Sequence, residues 1–170
     1  MNDICIHIIE TELNNRDWTI VSQQDPTLHI SNNNNPNCNR VVLIKCWKAC
    51  IPDVGWEEDL FDLTTWGIHK PIHGNTHSFV ILVISHESLN PSEIFIFPTE
   101  VYNRIIKSGS VTKGGYKVYI SRDKKSKKWF ARTALMVDLH KIFEKANPTV
   151  VDISKYHNNF DQLDCKSLSV

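Results

Sequence analysis

The stretch 79–106, FVILVISHESLNPSEIFIFPTEVYNRII, limits the possible folds more than any other part of the chain. Residues 79–84 are an unbroken apolar run, the length of a buried strand. A short polar turn follows. A second apolar strand over 93–97 ends at Pro98, and Thr99 is placed to cap a helix that ends near Lys107, before Gly109. This order of elements belongs to an α/β protein.

The rest of the chain reads in the same terms. With 170 residues it is long enough for one domain, 1–170, with a real core. No apolar run approaches the roughly 20 residues of a membrane span, and no basic residue precedes the first apolar stretch, so no signal peptide is expected. The five cysteines (Cys5, Cys38, Cys46, Cys50, Cys165) are odd in number and scattered. That usage reads as reduced thiols in a cytoplasmic protein.

Residues 3–15 are expected to form a first helix, with Asp3 as cap and Asn14-Asn15 as stop. Short strands follow at Trp18, Ile20, Val21 and over 27–31. The run NNNNPN at 32–37 reads as a turn or loose loop, because Asn tolerates left-handed backbone and Pro36 blocks pairing. Residues 40–47 are rich in β-branched side chains and predict a strand. On it Val41, Leu43, Lys45 and Trp47 share one face, and Val42, Ile44 and Cys46 the other. Residues 50–76 read as a long polar loop with a short helix near 56–61. A strand is expected over 116–121, then a lysine-rich turn. An amphipathic helix is expected over 133–146, and a short final helix over 155–163.

Helix, three-stranded meander, then strand–turn–strand–helix: this order resembles the core of the PD-(D/E)XK restriction-endonuclease-like superfamily. VVLIKC at 41–46 is similar to the family strand that ends acid-x-Lys, and GYKVYI and KYHNNFDQL are similar to late elements of bacterial members. The resemblance implies a mixed central sheet flanked by helices. It also implies two carboxylates and a lysine around Mg²⁺, which together activate water and offset charge on the scissile phosphate. Lys45 takes the lysine position. Leu43 stands where the acid is expected, and the preceding strand, Thr27-Leu28-His29-Ile30, has no aspartate. The resemblance therefore implies a nuclease-like protein whose catalytic centre has degenerated and in which Lys45 is vestigial. Such a protein would be associated with DNA, as a component of a bacterial restriction or phage-defence system. An active metal-dependent endonuclease would need displaced carboxylates: Asp25, Glu10, Glu12, Glu57 or Glu58.

Charge is uneven along the chain. Residues 1–100 hold five Lys/Arg against thirteen Asp/Glu, and the remainder holds fourteen against six. Asp53, Glu57, Glu58, Asp59 and Asp62 lie together. So do Lys113, Lys117, Arg122, Lys124, Lys125, Lys127, Lys128 and Arg132, interleaved with Tyr116, Tyr119, Trp129 and Phe130. Such asymmetry fits a polyanion-facing surface or complementary faces between subunits. The basic hairpin suits phosphate contact with some stacking, or it is a solvated hairpin whose lysines keep a strand edge soluble. The acidic loop 50–76, with Trp56 and Trp66, suits a protein partner, and an interaction or immunity-type protein is the alternative reading. No membrane partner is expected.

Cys46-x3-Cys50 with His69-x3-His73 has the residue types of a zinc site. But Cys46 is on a predicted strand, and the histidines flank Pro71 and Gly74, so neither a metal site nor another cofactor is expected. No phosphate loop or nucleophile elbow is present.

Overall fold

Strand β3 (Asn35–Lys48) is the centre of the architecture. In the computed structural model, which describes residues 3–53, 56–74, 76–132 and 150–165, it pairs antiparallel with one neighbour and parallel with the other. Helix α1 (Asp3–Asn14) leads into β1 (Trp18–Gln24) and β2 (Thr27–Asn32), which form an antiparallel meander with β3. On the other side β5 (Phe79–Ser85) runs parallel to β3, from Val42↔Phe79 to Lys48↔Ser85. β6 (Glu93–Pro98) returns antiparallel to β5. The first sheet has the order β1-β2-β3-β5-β6.

Both faces of this sheet are covered, which explains the unbroken apolar strands. Val80, Leu82, Ile84, Phe95 and Phe97 point into one core, while Ile81, Val83, Ile94 and Ile96 point into another. Cys5, Ile9 and Leu13 of α1, spaced four apart, cover the second face together with Phe160 and Leu163. Arg16 fastens the end of α1. It donates to the Glu12 carbonyl, and its guanidinium lies 4.3 Å from the Phe160 ring centroid.

The opposite face meets a second sheet. Short helix α2 (Trp56–Leu60) runs into β4 (Phe61–His69), the edge of the order β10-β9-β8-β4. The others are β8 (Gly115–Asp123), β9 (Trp129–Arg132) and β10 (Val150–Asp152), and β7 (Ser110–Thr112) pairs with β8. Leu63, Val118, Ile120, Trp129 and Ala131 share a core with Val80, Leu82, Phe95 and Phe97, so the two sheets pack face to face. Helix α3 (Thr99–Lys107) closes this core with Tyr102, Ile105 and Ile106.

The protein is thus mixed α/β, but a single central sheet flanked by helices is not what it forms. Strand pairing replaces helical cover on one face. The stretch 50–76 is not an irregular loop: its β-branched and aromatic residues build β4, whose register with β8 runs to His69↔Tyr116. The asparagine run is a tight hairpin. The Asn32 side chain accepts from the backbone N–H groups of Asn34 and Asn35, and β3 already begins at Asn35, with a register shift that accommodates Pro36. Thr99 is the first helical residue rather than the cap, and its hydroxyl donates to the His77 carbonyl at 2.8 Å. The tail forms two 3₁₀ turns, Ser154–Tyr156 and Phe160–Leu163. The expected helix over 133–146 lies outside the described residues.

The cysteines are also not all reduced. Cys38 and Cys165 form a disulfide across 127 residues, joining the start of β3 to the segment after the last 3₁₀ turn. Cys5, Cys46 and Cys50 are free. Cysteine usage therefore does not point to a cytoplasmic location. No helix among the described residues is long and apolar enough to cross a membrane.

Closing so long a loop should make the bridge a large contributor to stability, about 2–5 kcal/mol for a native disulfide. Reductant, or Cys38→Ala, should lower the unfolding free energy by that amount, obtained from urea unfolding followed by tryptophan fluorescence.

Candidate functional site

Lys45 projects from the face of β3 that also carries Leu43 and Trp47, towards the second sheet. It is half-buried, and burial lowers its pKa. Its Nζ lies 5.8 Å from the Tyr102 ring centroid. His69, the last residue of β4, stacks on Trp47 with centroids 4.2 Å apart. Burial first, and then the Lys45 charge, push the His69 pKa down to about 4. Burial raises that of Tyr102.

Two glycines make this arrangement possible. A Cβ on Gly67 would sit 2.4 Å from His69 Nε2, so only glycine leaves room for the imidazole. Gly115, at φ +143°, approaches the His69 carbonyl so closely that a Cβ would be 2.4 Å from it. The centre has two unmet hydrogen-bonding groups: His69 Nε2 and the Tyr102 hydroxyl are buried without a partner. Such orphans call for an explanation. An ammonium, a hydroxyl and a neutral imidazole suit water or an anionic oxygen, not a hard divalent cation.

The candidate carboxylates that are described lie away from Lys45. No cluster of three or more His, Cys, Asp or Glu suited to a metal occurs among the described residues. Asp25 is exposed in the β1–β2 turn and acts electrostatically on Cys46, on the opposite face of β3. Glu10 and Glu12 belong to α1, which covers that same opposite face. Glu58 is exposed on α2, and the Glu57 side chain is outside the described residues. Cys46 packs with the α1-side core while His69 packs against Trp47, so the zinc-like sequence pattern does not converge.

The eight basic candidates do not form one patch. Lys113 and Lys117 lie at the start of β8, while Lys124, Lys125, Lys127 and Lys128 lie at its far end. Nine strand residues between the two turns separate them by roughly 25–30 Å. The far turn is ordered by Asp123, whose Oδ1 accepts from the backbone N–H groups of Lys125 and Ser126. It is also interleaved with acid. Arg122 grips Asp62 through two hydrogen bonds, of 2.8 and 3.1 Å, and reaches Glu93 at 3.7 Å. Lys127 pairs with Asp62, Glu93 pairs with His157, and Lys128 approaches Asp152 at 3.8 Å. Lys124 donates to the Glu58 carbonyl. Arg132 is 2 % exposed and donates to Ser121, so it is absent from the surface that phosphate contact needs.

Within loop 50–76, Asp53, Glu58 and Asp59 are exposed. With Asp62 and Lys124 two of these, Asp53 and Glu58, line a cleft of about 550 Å³. Trp66 is exposed on β4, and the Trp56 side chain lies outside the described residues.

Sequence reasoning missed His69 and Tyr102 as neighbours of Lys45. It also missed a cleft of about 580 Å³ at the C-terminal ends of β3 and β5, lined by Lys48, Cys50, Ser85, His86 and Glu87. The only signal for the cleft was the sequence position of these residues just beyond the two strands. Comparisons with protein-family models, curated proteins and solved structures found no match to this chain.

Two titrations follow. His69 should be neutral at pH 7, and Lys45→Met should raise its pKa towards the usual 6.5, read by the imidazole NMR shifts. Because the folded pKa is depressed, stability is fully present above about pH 6.5 and should fall as pH drops towards 4. For Asp62, burial opposes ionisation, but Arg122 and Lys127 outweigh it and lower the pKa. Asp62→Asn should destabilise by about 1–3 kcal/mol, measured by urea unfolding at pH 7. That deficit should shrink as pH falls through the folded pKa of Asp62.

Proposed function

We propose that this chain is a restriction-endonuclease-like protein that binds nucleic acid without cutting it, as part of a bacterial restriction or phage-defence assembly. The observation that carries this reading is the setting of Lys45. It lies on the third strand of a helix–meander unit, at the position that resembles the family's catalytic lysine. Among the described residues, Trp47, His69 and Tyr102 lie around it in place of carboxylates. A site without hard oxygen ligands holds a divalent ion poorly, and without the ion neither water activation nor charge neutralisation is supplied. The exposed lysines 113, 124, 125, 127 and 128 support binding. Lys124, Lys127 and Lys128 are themselves exposed, so their contacts to the Glu58 carbonyl, Asp62 and Asp152 are open to exchange for phosphate.

A second reading keeps its own support. Asp53, Glu58 and Asp59 are exposed beside Ile51 and Leu60, which are exposed apolar residues. A basic protein partner would fit that acidic and apolar surface, as the immunity-type alternative requires.

The expected result is no Mg²⁺- or Mn²⁺-dependent cleavage of plasmid DNA, with binding to labelled DNA that weakens steeply as salt rises. Replacing Lys124, Lys125, Lys127 and Lys128 with Ala should weaken binding to all sequences about equally. Cleavage abolished by Lys45→Ala would restore the active-nuclease reading. Absence of binding at low salt would leave the protein-partner reading in the lead.

A further inference from the structure

The end of the second sheet that carries the β7–β8 turn has a property that the lysine turn lacks. Residues 63–86 and 101–122 contain no Asp or Glu, but they contain Lys70, Arg104, Lys107, Lys113, Lys117 and Arg122. Alternation along β4 puts Leu63, which is in the core, on one face and Trp66 and Ile68 on the other. Trp66 is 56 % exposed and Ile68 51 %.

These residues and the lysines form one continuous surface. Lys117 pairs with Ile68 across the strands, and its ammonium lies 4.6 Å from the Trp66 ring centroid. Ile68 Cγ2 sits 3.5 Å from where a Cβ of Gly114 would be, next to Lys113. Lys70 Cγ sits 3.4 Å from the corresponding point at Gly115. Tyr119, paired with Trp66, stands beside it on the same face and is buried. A half-exposed indole is thus presented on the sheet with Lys117 against it, and Lys113 and Lys70 follow towards the β7–β8 turn.

We propose that this face is a stacking platform for single-stranded nucleic acid, with a base on Trp66 and adjacent phosphates on Lys117, Lys113 and Lys70. The inference rests on the nucleic-acid reading above and names its site and ligand. Unpaired bases offer the flat π-faces that an exposed indole takes up, whereas in a duplex those faces are already stacked on each other. A surface with three lysines and no carboxylate from its own segments favours a repeating polyanion.

The test uses the full chain with fluorescein-labelled oligothymidylate, a duplex of the same length and an oligoglutamate peptide, all at low salt. Trp66→Ala should weaken single-strand binding roughly ten- to a hundredfold, as expected for the loss of one stacked base at ~1–3 kcal/mol. Trp66→Phe should keep most of it, which shows that any loss is not unfolding. Single-strand binding should quench tryptophan fluorescence in the parent and much less in Trp66→Phe. Lys113→Ala with Lys117→Ala should flatten the salt dependence. The inference is overturned if Trp66→Ala binds the single strand as well as the parent. It is also overturned if the parent binds only duplex, a result that leaves the broader nucleic-acid reading standing. If the parent binds neither nucleic acid, both fail, and binding of the oligoglutamate alone would assign the face to an acidic protein partner.

Discussion

The parallel pairing of β3 with β5 is the constraint on which the rest depends. Two adjacent parallel strands cannot be joined by a tight turn, so the chain must cross from one end of the sheet to the other. Here the crossover contains α2 and β4. Because β4 is a strand, it pairs with β8 and seeds a second sheet instead of lying on the first as a helix. The shared core of Leu63, Leu82, Phe95, Val118 and Trp129 follows from that choice. So does the burial of Lys45, which would be near the surface if only its own sheet were present.

The two sheets are also joined by charge. Asp62 on β4, Arg122 on β8, Glu93 on β6 and His157 beyond the first 3₁₀ turn form a chain of ion pairs and hydrogen bonds across the interface. Arg122 and both carboxylates are less than one-fifth exposed. Water screens such groups less than surface pairs, and removing one partner leaves the others desolvated and unmatched. The opposite charges of the two halves of the sequence are therefore matched within one chain at this corner. The other end of the second sheet differs: Trp66 and its neighbouring lysines belong to segments, 63–86 and 101–122, that contain no Asp or Glu.

Much of this was legible in local pattern. The first helix, the apolar strands over 79–84 and 93–97, the helix after Pro98 and the strand around Lys45 all stand where cap and stop residues, periodicity and turn chemistry place them. Faces were legible too: the division of Val41 to Trp47 into two sets matches the two cores. Strand β4 was hidden because polar residues and histidines surround it, and its burial alternates only against a partner more than fifty residues away. The Cys38–Cys165 bridge was hidden because spacing does not identify which of five cysteines meet.

The sequence by itself determined those strands and helices whose apolar pattern is local, and which side of each is apolar, because such patterns depend on neighbours two to four residues apart. It also determined that Leu43, not an acid, stands two residues before Lys45 on the same face. Only the tertiary structure decided what each apolar face meets, which lysines are balanced by acids, and that Lys45 sits with His69 and Tyr102. Those outcomes depend on pairing between distant segments, where closing a loop is offset by contacts that no local pattern encodes.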